Sequence, residues 1–175
     1  MTEYKIIFIG GIHGVGKGTL CKKLSTENKI PHFSSSDLLK WNEISAQENK
    51  VVNDFNHTQN RLIEGIEKQI EKNKLTLLDG HFCLLNQNGM PEKIDEEVFR
   101  LIQPITICIK IQDVETIHER LEIRDGHKYE IETLNAMQKL ELSQAFKVSQ
   151  LLSIPLFQID QNSSIELENF INRNK

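Results

Sequence analysis

The chain has 175 residues, 38% hydrophobic and 26% charged, which describes a globular protein of one domain and excludes a disordered one. Its net charge of −4 and its pI of about 5.9 exclude a protein that coats nucleic acid by general basicity. No apolar run approaches the ~18 residues of a membrane span; the longest, Ile105 to Ile109, has strand length.

In chain order, Met1 to Lys5 leads straight into an apolar run, so no signal peptide is expected. Cys21, Cys83 and Cys108 then read as reduced thiols of a cytoplasmic protein, and their spacing gives no zinc motif. Tyr4 to Ile9 is a nearly unbroken apolar strand, the pattern of a strand buried on both faces of a parallel sheet. A glycine-rich turn follows, and Leu20 and Leu24 then recur at helical spacing. Pro31 to Phe33 is a short strand. Ser34 to Asp37 is an N-cap cluster opening a helix through Leu38, Leu39 and Trp41. A helix from about Asn53 to Lys72 carries Phe55, Leu62, Ile63, Ile66 and Ile70 along one stripe. Leu75 to Gly80 is a buried strand ending on an acid, and residues 82–91 contain the turn chemistry of a small hairpin or extended loop. Beyond these come a short helix at Glu96 to Leu101, a strand at Ile105 to Ile111 and a helix at Val114 to Ile123. A long helix from Glu130 to Leu152, a strand at Pro155 to Ile159 and a helix at Ile165 to Ile171 complete the chain. Strands alternating with helices predict an α/β fold on a mainly parallel sheet of about five strands.

The segment Gly11-Ile12-His13-Gly14-Val15-Gly16-Lys17-Gly18-Thr19 fits the phosphate-binding loop G-x-x-x-x-G-K between a strand and a helix. Several consecutive backbone N–H groups must point inward around a phosphate, which requires glycines at positive φ. The helix that begins near Lys17 adds its positive end to the same anion. Lys17 is expected to reach the β- and γ-phosphates, and Thr19 to offer its hydroxyl. A nucleoside triphosphate is thus the expected ligand, and the spacing alone does not separate kinase, GTPase and motor ATPase. No Asn-Lys-x-Asp guanine-reading motif occurs, and the short chain leaves no room for the extra strands of ring-forming ATPases. A small kinase is the leading class.

Gly-x-x-Gly-x-Gly-Lys-Gly-Thr, with glycine after the lysine, resembles the loop of adenylate and related nucleoside monophosphate kinases. His32-Phe33-Ser34-Ser35-Ser36-Asp37-Leu38-Leu39-Lys40 resembles their monophosphate-binding segment. Asp79-Gly80-His81 resembles the Asp-x-His of small adenylate-kinase-like ATPases implicated in ribosome assembly. Glu119-Arg120-Leu121-Glu122-Ile123-Arg124 resembles the run leading into the lid. The resemblance implies a P-loop α/β sandwich with sheet order 2-3-1-4-5, and one kinase domain over 1–175. It implies an acceptor-binding insert near 34–72 and a short lid near 124–130. Two departures stand out. Gly18 replaces the usual hydroxyl that binds magnesium directly, and Lys40 replaces a phosphate-clamping arginine, whose two-pronged grip lysine lacks.

The candidate residues follow. Gly11, His13, Gly14, Val15, Gly16, Lys17, Gly18 and Thr19 would hold ATP, with Arg120 and Arg124. Lys17, Asp79, Arg124 and His81 would carry catalysis, and Ser35, Asp37, Lys40 and Arg61 the acceptor. Thr19 and Asp79 would serve Mg²⁺, through water. His81 reads equally as a group orienting the attacking atom or Asp79 and as an ordinary loop histidine. Arg124 reads as stabilising the transferring phosphoryl group, or as a cation matching a helix C-terminus. Arg61 reads as a phosphate ligand or as a solvated helix residue. The expected activity is ATP-dependent phosphoryl transfer to a small-molecule acceptor, first among them a nucleoside monophosphate. The rivals are kinase action on another small metabolite and a regulatory ATPase that acts on a protein or ribonucleoprotein partner.

Overall fold

The computed structural model describes residues 4–39, 55–126, 129–160 and 164–175. Strands β1 (Lys5–Gly10), β2 (His32–Ser34), β3 (Leu75–Asp79), β6 (Thr106–Lys110) and β7 (Leu156–Ile159) form one sheet in the order β2-β3-β1-β6-β7. All four neighbouring pairs are parallel. Strands β4 (Cys83–Leu85) and β5 (Pro91–Lys93) form a separate antiparallel hairpin. Counted among the sheet strands alone, the order is the expected 2-3-1-4-5; the hairpin only advances the numbering. Helices α1 (Lys17–Asn28), α2 (Ser35–Leu38), α3 (Phe55–Gln69), α4 (Glu96–Ile102), α5 (Val114–Asp125), α6 (Ile131–Leu152) and α7 (Ile165–Asn174) connect the strands.

The central strand explains the layering. Ile6, Ile7, Phe8 and Ile9 are all buried, and side chains alternate across a strand. Ile6 and Phe8 join Leu62 and Ile66 of α3, Ile70 just past its end, Phe99 and Ile102 of α4, and Ala145 and Val148 of α6. Ile7 and Ile9 face the other way, onto Cys21 and Leu24 of α1 and Leu167 and Ile171 of α7. One strand thus feeds two cores, which is why its sequence is apolar without alternation. Phe8, Phe82 and Phe99 form an aromatic cluster with ring centroids 4.8–5.3 Å apart.

Helix ends follow local chemistry. Ser34 caps α2, its side-chain oxygen accepting from the Ser36 N–H at 3.2 Å. The long helix α6 stops at Ser153, whose left-handed φ of 54° closes the C-terminus two residues before Pro155. The expected helix over 53–72 is shorter in the structure, and the Trp41 end of the preceding helix lies outside the described residues. Among the described residues, no helix is long and apolar enough to cross a membrane.

Gly65 is where α3 crosses the end of α2. A Cβ there would lie 2.7 Å from the backbone oxygen of Leu38. Helix propensity favours Gly→Ala by ~1 kcal/mol, but a backbone oxygen cannot step aside as a flexible side chain can. Gly65→Ala is therefore expected to destabilise the protein by about 1–3 kcal/mol. Thermal unfolding should show a Tm lower by several degrees; an unchanged or higher Tm would mean the helices separate at little cost.

Candidate functional site

Strand β1 delivers the chain into a loop at the C-terminal edge of the sheet, where open α/β sheets place ligands. Gly11, Gly14 and Gly16 take φ of 141°, 77° and 97°, conformations that side-chain-bearing residues rarely adopt. The loop is also fastened from beneath. Ile12 and Val15 are buried against Ile117 and Leu121 of α5 and Leu134 and Met137 of α6. A Cβ on Gly14 would come within 2.8 Å of the Leu121 side chain. Helix α1 opens at Gly16, which offers no side-chain cap, so its first N–H groups remain available to an anion.

Lys17 sits within this loop and is buried. Its Nζ donates to the carbonyls of Gly11 at 2.6 Å and Ile12 at 3.2 Å. Burial lowers its pKa, while the carboxylates of Glu141 and Asp79 work in the opposite direction. The loop borders a cavity of about 1120 Å³ whose lining includes Gly14, Gly16, Lys17, Gly18 and Thr19. Asp79, His81, Arg120 and Arg124 line the same cavity, as does Lys110 from the end of β6. Arg120 Nη1 lies 3.7 Å from the Cβ position of Gly16, over the loop.

Asp79 ends β3, and its Oδ2 is 2.6 Å from His32 Nε2. Thr19 and Asp79 supply oxygen donors to the cavity, and a Cβ on Gly18 would have nothing within 4 Å. This donor set fits Mg²⁺, which keeps waters and phosphate oxygens and needs few protein ligands. The structure adds a group that linear spacing does not reveal. Cys21, His32 and Asp79, from α1, β2 and β3, bring their ligand atoms within 4.8 Å of one another.

His81 lines the cavity and packs against His13 of the loop, ring centroids 4.3 Å apart and planes tilted by 44°. Behind it stands Glu141 of α6, only 1% exposed. Its Oε1 accepts from the backbone N–H of Phe82 at 2.9 Å and of Cys83 at 3.1 Å, and lies 3.6 Å from His81 Nδ1. Its Oε2 has no hydrogen-bond partner. The sequence reading missed Glu141, although the signal was present. Leu134, Met137, Glu141, Ala145 and Val148 follow one buried helical stripe, and an acid on such a stripe needs a reason to be there.

The expected acceptor residues are placed differently. Ser35 packs its buried, unpartnered Oγ near Gly80, and Asp37 and Arg61 are exposed. None of these three lines the cavity; Ser36 does. Lys40 lies outside the described residues, as do 127 and 128 of the expected lid.

Removing Glu141 tests its hold on the strand end. Glu141→Ala orphans two buried N–H donors at ~1–3 kcal/mol each, a loss of about 2–6 kcal/mol. Glu141→Gln keeps an acceptor oxygen for both and should lose much less. Chemical denaturation of the pair checks this, and equal losses would deny the hydrogen bonds their role.

Residues 10–138 match the family described as AAA domain. An adenylate kinase from Fervidobacterium nodosum is 30% identical over 129 residues, which cover 68% of this chain and 57% of that protein. Among solved structures, the YorR protein of Bacillus subtilis, in complex with phosphorylated GDP, superposes with a TM-score of 0.58 at 18% identity. That match covers 97% of this chain and 94% of that one. A gluconokinase from Sinorhizobium meliloti superposes at 0.53 and 12% identity, covering 98% and 89%. These two likenesses concern the fold. The glycine loop, the parallel sheet and the match over residues 10–138 together establish that the chain belongs to the AAA domain family, in an adenylate kinase-like P-loop form.

Proposed function

We propose that the chain, acting as one domain in the cytoplasm, transfers the terminal phosphoryl group of ATP to a small acceptor, a nucleoside monophosphate. The observation that carries this is the loop itself. Gly14 and Gly16 at positive φ and a buried lysine line a cavity that also holds an acid and two arginines. The match to an adenylate kinase over 129 residues supports a nucleotide acceptor.

Phosphoryl transfer asks for positioning and charge neutralisation more than for covalent chemistry. The loop N–H groups and the α1 N-terminus would hold the β-phosphate. Lys17 would exchange its two loop carbonyls for phosphate oxygens, and Arg120 and Arg124 would meet charge on the moving phosphoryl group. Mg²⁺, when bound, supplies charge neutralisation between the phosphates, with Thr19 and Asp79 as its nearest protein oxygens. The acceptor oxygen forms a bond to the γ-phosphorus as the bond to the β–γ bridging oxygen breaks, leaving ADP. His81 would lie beside this path, backed by Glu141.

A second reading has its own observation. Ser35, Asp37 and Arg61 stay off the cavity, which suits an enzyme whose acceptor is water and whose nucleotide state governs a protein or ribonucleoprotein partner.

Lys17→Ala is expected to cut kcat/KM for ATP by ~100-fold or more with the fold intact; near wild-type turnover would reject the loop assignment. Asp79→Asn should lower kcat by a similar factor and raise the magnesium requirement, with ATP affinity changed far less. Full rate at low magnesium would reduce Asp79 to a structural partner of His32. An ADP-release screen across nucleosides, their monophosphates and small metabolites decides the acceptor. Monophosphates should stimulate and nucleosides should not, and Lys40→Ala and Arg61→Ala should raise the acceptor KM more than the ATP KM. Equal kcat/KM for a nucleoside and its monophosphate would reject the acceptor site. Slow hydrolysis that no acceptor stimulates would select the regulatory ATPase.

A further inference from the structure

We propose that Cys21, His32 and Asp79 form a binding site for one soft divalent cation, best matched by zinc, at the edge of the phosphate cavity. The Cys21 sulfur, a His32 ring nitrogen and an Asp79 carboxylate oxygen all lie within 4.8 Å of one another, the only such group among the described residues. They come from three elements that the sheet holds in fixed relation. Cys21 is anchored in the core cluster between α1 and the sheet, with Leu24, Leu75 and Leu77. His32 and Asp79 stand on β2 and β3, neighbours in parallel register through Phe33–Leu78 and Ser34–Asp79.

The ligand chemistry favours zinc over magnesium. Thiolate, imidazole and carboxylate form a mixed N, S and O set, and three such ligands leave a fourth tetrahedral position for water or another oxygen. Magnesium demands an octahedron of oxygens and would not select a sulfur. Thiolate and carboxylate together cancel the charge of a dication, and neutral imidazole adds none. On binding, the Cys21 thiol gives its proton to solvent, and the His32 Nε2 proton moves to Nδ1 as the 2.6 Å bond to Asp79 opens. Tetrahedral zinc sets its N and O ligands about 3.3 Å apart and its sulfur slightly further. The His32–Asp79 pair therefore widens by about 0.7 Å, and the sulfur, within 4.8 Å of both, completes the set. Of the three, Asp79 lines the cavity, so the fourth position is reached from that side. Lys17 is a cation that interacts with both Cys21 and Asp79; its ammonium is tied to the Gly11 and Ile12 carbonyls and faced by Glu141.

A cation here occupies the carboxylate assigned above to magnesium. On the phosphoryl-transfer reading, zinc would therefore inhibit and excess magnesium would not fully relieve it, since magnesium cannot use the sulfur. The decisive experiment contains no nucleotide. The full chain, stripped of metal, is titrated with Co²⁺ and then with Zn²⁺ against a chromophoric chelator. One equivalent of Co²⁺ should give tetrahedral visible bands and a thiolate-to-cobalt charge-transfer band, both displaced by zinc. Cys21→Ser should abolish the charge-transfer band, and Cys83→Ser and Cys108→Ser should keep it. His32→Ala should weaken zinc binding by about 100-fold, and carries the test if the fully buried Cys21 does not tolerate serine. No stoichiometric binding, a band that survives Cys21→Ser, or zinc affinity untouched in His32→Ala would overturn the site. Failure here leaves the transfer reading standing, because Lys17 variants and acceptor dependence test that reading without any transition metal.

Discussion

The constraint on which the rest of the structure depends is the geometry of residues 11–17, a loop that must turn its N–H groups toward one point. Such a curl is costly for L-residues and is carried here by three glycines at positive φ. It also needs an anchor, because a loop of glycines would otherwise be ordered at high entropic cost. Ile12 and Val15 supply the anchor by packing into the cluster of α5 and α6. Helices α5 and α6 thereby hold the loop from below. The same two helices carry Arg120, Arg124 and Glu141 to the site.

Charge placement is the second organising feature. A buried ammonium is tolerable only with compensation. Lys17 has loop carbonyls as direct partners and the carboxylates of Asp79 and Glu141 nearby. Each acid is in turn held: Asp79 by His32 at 2.6 Å, and Glu141 by the N–H groups of Phe82 and Cys83. The acids beside the loop are thus fixed in place by partners on β2 and at the start of the hairpin. The buried cysteines are chemically quiet in comparison. Burial drives the thiols of Cys21 and Cys83 far above their ordinary range and that of Cys108 to about 12. Only a metal ion would make Cys21 a thiolate.

The two sides of the cavity differ in how firmly they are built. The loop side rests on the central strand, the loop and α1, each buried on at least one face. On the other side, Ser36 reaches the cavity while Asp37 and Arg61 face outward.

The sequence by itself determined the layers and the phosphate loop, because both rest on local rules. Mostly apolar runs at residues 4–9, 75–80 and 105–111 announce strands buried on two faces, and Gly-x-x-x-x-Gly-Lys fixes a curl that few other residues permit. The hairpin at 83–93 was foreshadowed by Asn86 to Gly89, though only the fold shows where it packs, against α6. Tertiary structure alone decided the partners of the charged groups. His32 meets Asp79 across 47 residues of sequence, and Glu141 meets Phe82 across 59. Neither spacing follows any helical or strand period, so no local pattern could carry it. It also decided that Ser35 turns toward Gly80 and away from the cavity. A side chain at a helix start can face either way, and what packs against it settles the direction. Periodicity records which face of an element is buried; only the packed sheet and helices record against what.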